Sequence, residues 1–204
     1  MNFFEKELKV RLTFTEEILG SSPASQEIYR EYIASKAPDA PTIEDEIAAV
    51  GVDETADAKM TVFPRQNGVP GVWDYQVKGF FKDSCGGLGR VKRTLSGGLK
   101  AYKKVIDKLV FVEERFIPYE FGGKMGVCER PLRAQTAQGE RVALSASESI
   151  PAGAQIEFTI GLLDAKLEDV VREWLDYGEL SGFGQWRSSG KGRFTWEEVK
   201  RRNS

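Results

Sequence analysis

Gly182-Phe183-Gly184-Gln185-Trp186-Arg187-Ser188-Ser189-Gly190-Lys191-Gly192-Arg193-Phe194 is the stretch on which the reading of this sequence turns. Its four glycines let backbone approach a ligand closely and turn N–H groups toward phosphate. Arg187, Lys191 and Arg193 supply charge, and Ser188 and Ser189 supply hydroxyl donors. Trp186 and Phe194 offer rings on which a base can stack. The stretch is not a P-loop, because no Gly-Lys-Ser/Thr follows a glycine at the required spacing. It is not a dinucleotide fingerprint either, since a helical pattern rather than a strand precedes it. Glycine serves tight turns as often as ligands, so the residues alone leave packing and binding equally open.

Working outward, Leu167, Val170, Val171, Trp174 and Leu175 mark an amphipathic helix ending near Gly178. Before it, Ile156, Phe158, Ile160 and Leu162 alternate as in a half-buried strand, reached through a turn at 149–153. Residues 130–144 read as a polar hairpin around Gln138-Gly139, carrying Arg130, Arg133, Gln135, Thr136 and Arg141. Residues 109–116 read as a strand. Val77, Phe80, Phe81, Ser84, Cys85 and Leu88 give the clearest amphipathic helix, with Gly86-Gly87 expected to fray its end. Residues 78–104 hold Lys78, Lys82, Arg90, Lys92, Arg93, Lys100, Lys103 and Lys104 against Asp83 alone, and Ser96-Gly97-Gly98 reads as a flexible loop inside them. Trp73 and Tyr75 are either a stacking platform or packing for the start of that helix.

Nearer the N-terminus, a short strand at 60–63 precedes turn-rich residues 66–71. Leu8, Val10, Leu12 and Phe14 alternate with polar residues as a first strand, which stops in a turn at 18–23. Ser25 can cap a helix, and Thr42 with Asp45 approaches a capping box at the head of the acidic run 39–57, the best candidate for an insertion. On the far side of the glycine stretch, residues 193–196 read as the last strand and 200–204 as a frayed tail. The core order is therefore strand, helix, strand, strand, helix, strand. That describes an α+β, ferredoxin-like (RNA-recognition-like) fold, an antiparallel sheet with helices on one face, plus insertions. One domain over 1–204 is expected, with an acidic insertion at about 37–59 and a polar hairpin at about 130–144.

Composition narrows the chemistry. The sequence has no histidine, which removes Ser-His-Asp and Cys-His catalysis, His-based zinc sites and the commonest general base for RNA cleavage. Cys85 and Cys128 form no metal-type cluster and read as reduced thiols packed as small apolar residues. No apolar run is long enough to span a bilayer, and the start lacks a signal-peptide plan, so a cytoplasmic protein is expected. The net charge of −2 hides a split: residues 1–60 carry six Lys/Arg against thirteen Asp/Glu, leaving 23 against 18 for the rest. That asymmetry permits a basic face on the larger part of the chain.

The glycine stretch resembles the glycine-rich loop of the RAMP superfamily, the RNA-binding subunits of CRISPR effector complexes. Gly182, Gly184, Arg187, Gly190, Gly192 and Arg193 stand where that family has a G-G-x-x-S-R-G-x-G-R pattern before its last strand. Residues 12–22 resemble the family's first strand running into an L-x-x-G-S/G turn. Residues 76–82 resemble its S-L-K-G-x-L-R segment at the first helix, and residues 150–158 its V-P-A-G-T-x-F-x-F approach to a core strand. The resemblance implies a ferredoxin-like fold and places Lys78 and Lys82 beside the glycine loop along a guide-like strand. It also implies a projecting hairpin at 130–141 that touches RNA or a neighbouring subunit. The acidic segment has no family counterpart, and Asp39, Asp45 and Asp53 match no family context, so no catalytic residue is carried over.

The expected function is non-catalytic, largely sequence-indifferent binding of single-stranded nucleic acid, RNA foremost, with self-assembly or effector-complex subunits as further partners. The expected contacts are Lys78, Gly79, Lys82, Arg90, Arg93, Gly182, Gly184, Trp186, Arg187, Ser188, Gly190, Lys191, Gly192 and Arg193, without metal or cofactor. Two other readings stand beside it: a phage or anti-defence decoy using the same fold, for which the acidic segment speaks, and a binder of a small cyclic nucleotide.

Overall fold

The computed structural model describes residues 3–23, 60–136 and 139–199, and residues 131–144 by their backbone alone. The helix expected after Ser25, the acidic segment and the tail at 200–204 lie outside the described residues.

The described elements begin with β1 (Lys6–Phe14), β2 (Ile18–Leu19), β3 (Ser22–Pro23), β4 (Met60–Val62), β5 (Arg65–Gln66) and β6 (Val69–Trp73). Helix α1 (Asp74–Leu88), helix α2 (Tyr102–Leu109), β7 (Val110–Val112) and β8 (Phe116–Pro118) follow. The chain continues through β9 (Gly126–Thr136), β10 (Gly139–Ile150), β11 (Gln155–Leu162), α3 (Glu168–Ser181) and β12 (Phe194–Glu198).

The central sheet has four strands in the order β12-β1-β11-β7, antiparallel at every junction. Its strands and two long helices follow one another as β1, α1, β7, β11, α3, β12. The alternation in β1 decides which face is inside. Leu8, Val10, Leu12 and Phe14 are buried, while Lys9, Arg11 and Thr13 between them stay half-exposed. Register places Leu8 opposite Ile160, Val10 opposite Phe158 and Leu12 opposite Ile156, so β1 and β11 present one continuous apolar surface. Helices α1 and α3 close over it: Phe81 packs on Trp174 at 5.6 Å between ring centroids, and Phe80 on Phe194 at 5.4 Å. The opposite face carries ion pairs, with Glu157 bridging Lys9 at 2.6 Å and Arg11 at 2.8 Å.

A second sheet is built on β10, which pairs β9 and β2 antiparallel and β4 parallel, with β3 on the far side of β4. Strands β9 and β10 pair from Ser149↔Gly126 to Gly139↔Thr136, so the expected hairpin exists and is longer than its polar part. A third, small sheet is β5-β6-β8.

Several local expectations change. The turn at 18–23 holds two short strands, because Ile18 and Leu19 pair with Ile150 and Ser149, and Ser22 with Val62. The turn-rich 66–71 is a hairpin whose two central residues, Asn67 and Gly68, both have positive φ (52° and 81°), the geometry of a tight β-turn. Gly86 and Gly87 do not end α1, which runs on to Leu88. They lie inside it because the Tyr102 and Tyr177 hydroxyls approach there, 2.9 and 3.4 Å from where a Cβ would stand. Residues 109–116 divide into the last residue of α2, β7 and the start of β8. Trp73 is buried with its ring edge-on to Phe116, so it packs and does not serve as a platform.

The Ser96-Gly97-Gly98 segment is not a loose loop. The Glu173 carboxylate accepts from the Leu95 and Ser96 amides at 2.7 and 3.0 Å, and Ser96 Oγ accepts from the Trp174 indole at 2.9 Å. Both cysteines are free thiols, and burial pushes the Cys85 thiol above its ordinary pKa.

Candidate functional site

Helix α3 stops at Ser181 because Gly182 takes φ 69° and ψ 176°, an extended conformation at positive φ that essentially only glycine adopts. The chain then folds back on itself. The Phe183 amide donates to Gly192 O at 2.8 Å, and the Gly192 amide donates to Glu17 O at 2.9 Å. A Cβ on Gly192 would stand 1.9 Å from the Phe183 carbonyl oxygen, so two stretches of backbone touch where no side chain fits. Two expectations fail for this reason. The amides of Gly182, Gly190 and Gly192 donate to Gly178 O, Arg187 O and Glu17 O, so they do not line up for a phosphate. Phe194 is wholly buried, packed between Phe14 and Phe80, and presents no ring to a base.

The cations sort by partner. Lys191 pairs with Glu17, a hydrogen bond that raises its pKa. Lys78 turns toward α2 and β7: its ammonium donates to Asp107 O at 3.2 Å and lies 4.8 Å over the Phe111 ring. Burial lowers its pKa. Lys82 pairs with Asp107 at 2.5 Å. Arg187 reaches from the glycine stretch to Asp83 on α1, joining the two elements.

Around that joint runs a groove of two adjoining cavities, about 640 and 770 Å³. Asp83, Gly184 and Arg187 line both. The smaller cavity lies between α1, the end of α3 and the middle of the glycine stretch. The larger follows α1 toward Tyr102 and Lys103 of α2. Of the expected contact residues, Gly79, Lys82, Arg90 and Gly184 line the groove on one side of the joint or both. Trp186, Arg187, Ser188 and Arg193 line the cavity at the glycine stretch. Lys78, Arg93, Gly182, Gly190, Lys191 and Gly192 do not line it. Among the described lining residues, Lys82, Arg90, Lys103, Arg187 and Arg193 face one carboxylate, Asp83, so this part of the groove is cationic.

Sequence reasoning missed Tyr177, Leu180 and Ser181, which the end of α3 contributes. Their i, i+3, i+4 spacing is the signal that places them on one helical face. It also missed the internal role of Arg130. That residue, at the base of the hairpin, is 8% exposed. Its Nη2 donates to Gln185 Oε1 at 2.9 Å, and its guanidinium lies 5.1 Å over the Trp186 ring. Its Nε and Nη1 have no hydrogen-bond partner among the described residues. The hairpin's base is therefore anchored to the glycine stretch, while the side chains of Arg133, Gln135, Thr136, Gln138 and Arg141 lie outside the described residues.

No protein-family model matches the sequence, and no curated protein matches it. Solved structures are similar in fold. A chain in the cryo-EM structure of the Type III-B Cmr-beta bound to cognate target RNA matches over 96% of this chain, at 10% identity and a TM-score of 0.51. This chain spans 60% of that one's length. A chain of a Type IV-B CRISPR complex (98% of this chain, 92% of the other) and Cmr6 from Pyrococcus furiosus (98% and 100%) each match at 10% identity and a TM-score of 0.48. Among the described residues, no helix is long and apolar enough to cross a membrane. At such low identity the finding is one of architecture: the chain shares the mixed α/β fold of the Cmr-beta chain.

Proposed function

We propose that this chain is a single RAMP-like domain that binds single-stranded nucleic acid, RNA foremost, by its backbone and without cutting it. The observation that carries the reading is the cationic groove that α1 and the glycine stretch build together. Phosphates lie along Arg90, Lys103, Arg187 and Arg193, whose charge is sequence-blind. The likeness to a Cmr-beta chain supports it, since that complex is described as bound to target RNA. So does the sheet order, last-first-third-second when the central strands are numbered along the chain, which is the order of a ferredoxin-like fold. Cytoplasmic location and assembly with further copies or effector subunits belong to the same reading.

Filter binding of single-stranded RNA and DNA over a salt series tests it. Four phosphate contacts predict a slope of roughly −3 in log affinity against log salt, at about 0.7 per contact on single strands. No binding of either strand at low salt overturns the proposal. A second reading, a binder of a small cyclic nucleotide, is favoured by the size of the smaller cavity, which suits a ligand of a few tens of atoms. A thermal shift with cyclic oligonucleotides, and none with longer RNA, would favour it.

A further inference from the structure

The described cations divide by what holds them. Around the central sheet and the groove, Lys9, Arg11, Lys82, Arg172, Arg187 and Lys191 each meet a carboxylate. On the loop after α1 and the outer face of α2, Lys92, Arg93, Lys100, Lys104 and Lys108 are exposed and meet none among the described residues. None of these lines the groove. Asp107, the one acid between positions 90 and 108, pairs with Lys82. Two apolar side chains stand in the same loop, Val91 at 54% exposure and Leu95 at 55%. Their backbone is fixed. Thr94 Oγ donates to Leu88 O at 2.8 Å and accepts from the Gly97 amide at 3.2 Å, while Glu173 holds the Leu95 and Ser96 amides. Uncovered apolar side chains on a rigid loop, amid unpaired cations, have the make-up of an interface with an apolar centre and a charged rim.

Most occupants leave part of this face unused. A phosphate strand takes the cations and leaves Val91 and Leu95 in water. A membrane needs a far larger apolar face than two side chains. An acidic segment with apolar residues among its carboxylates uses both features. The chain carries one: residues 39–57, outside the described residues, hold seven Asp and Glu and no Lys or Arg, with Ile43, Ile47 and Val50 among them. Val91 and Leu95 stay exposed in the single chain, which points to another copy as the source of the segment. We infer that the face carrying Val91, Leu95 and the unpaired cations docks the acidic segment 39–57 of a second copy of this chain. Segment and face are different surfaces, so the contact is heterologous and either closes as a reciprocal pair or continues from copy to copy. It needs no nucleic acid and stands independently of the groove.

Sedimentation velocity of the nuclease-treated full chain, over a concentration series at low and high salt, tests it. Wild type is expected to associate in low salt and to come apart as salt screens the pairs. Lys104→Glu/Lys108→Glu on the face, and Glu44→Gln/Asp45→Asn/Glu46→Gln on the segment, should each weaken association roughly tenfold. Val91→Ser/Leu95→Ser should weaken it about as much by removing apolar area, while leaving RNA binding by the groove unchanged. A labelled synthetic peptide of residues 39–57 should bind wild type and bind Lys104→Glu/Lys108→Glu about tenfold more weakly. Monomers throughout the series, or no binding of the peptide to wild type, overturn the inference. Association that ignores salt or survives the face variants overturns it as well. Loss in the face variants with the segment variant unaffected gives the face a different occupant, and loss on nuclease treatment gives it to RNA; either result sinks the proposal and leaves the groove standing.

Discussion

The ends of the stretch 182–194 and its middle answer to different forces. At the ends, Gly182 and Phe183 lie against Lys191, Gly192 and Arg193 so closely that backbone meets backbone, and Phe183 and Phe194 sink into the core. In the middle, Gly184, Trp186, Arg187 and Ser188 face the groove, with a strained tryptophan and an arginine tied to an exposed carboxylate. Glycine density therefore marks where the chain must touch itself. The groove-facing part is marked by aromatic and cationic side chains left partly in solvent, where burial has not claimed them.

Two alanine substitutions set the ends against the turn between them. At Gly192 the new Cβ would stand 1.9 Å from the Phe183 oxygen, with φ at 69°. Nothing flexible can give way there, so the expected loss is about 3 kcal/mol or more. At Gly190 φ is 83°, but the new Cβ meets only the Arg193 side chain, 3.6 Å away. There the cost is the left-handed backbone alone, about 1 kcal/mol. Denaturant midpoints of the two variants check the difference. Equal losses would mean that the ends do not hold each other.

A smaller effect tests the anchor behind the middle. Arg130 is nearly buried, and its hydrogen bond to Gln185 satisfies one donor of three groups. Gln185→Leu strips that bond from a buried cation, with an expected cost of about 2 kcal/mol. Adding Arg130→Met to it removes the buried charge and restores most of the loss, because an apolar pair of similar volume has no unmet donor. If Gln185→Leu leaves the unfolding midpoint unchanged, that hydrogen bond does not hold the middle of the stretch.

Periodicity made the central sheet and the two long helices legible, since a strand or helix with one buried face must repeat apolar residues at its own period. Leu8 to Phe14 and Val77 to Cys85 are the clearest cases. Two-residue strands such as β2 and β3 have no period to read. Helix α2 did carry a signal, with Tyr102, Val105, Ile106 and Leu109 against the core and Lys103, Lys104 and Lys108 away from it. Counting bases along the chain, instead of around a helix, hid it and made one basic surface of what the fold divides. Lys78 and Lys82 share a face of α1, as their spacing requires, but Asp107 of α2 occupies that face. Which carboxylate lies opposite a lysine is a property of tertiary packing, and no local pattern announces it. The groove itself was legible as a meeting of α1 and the glycine stretch, and the contribution from the end of α3 was not.

The smallest change in stability should accompany a visible change in binding. Asp83 is 59% exposed and pairs with Arg187 across the groove. An exposed ion pair contributes about 0.2–1 kcal/mol, so Asp83→Asn should leave the unfolding midpoint nearly in place. Its effect on a phosphate is of the opposite sign and does not cancel. The carboxylate both holds the guanidinium that a phosphate needs and repels the phosphate directly, and asparagine does neither with a full charge. Affinity for single-stranded RNA should therefore rise about two- to fivefold at low salt, and the gain should fade as salt screens the groove. Weaker binding by Asp83→Asn would reverse the assignment, making Asp83 the residue that aims Arg187 at its phosphate. The groove would then be preorganised by its one acid, as the ends of the glycine stretch are preorganised by backbone contact.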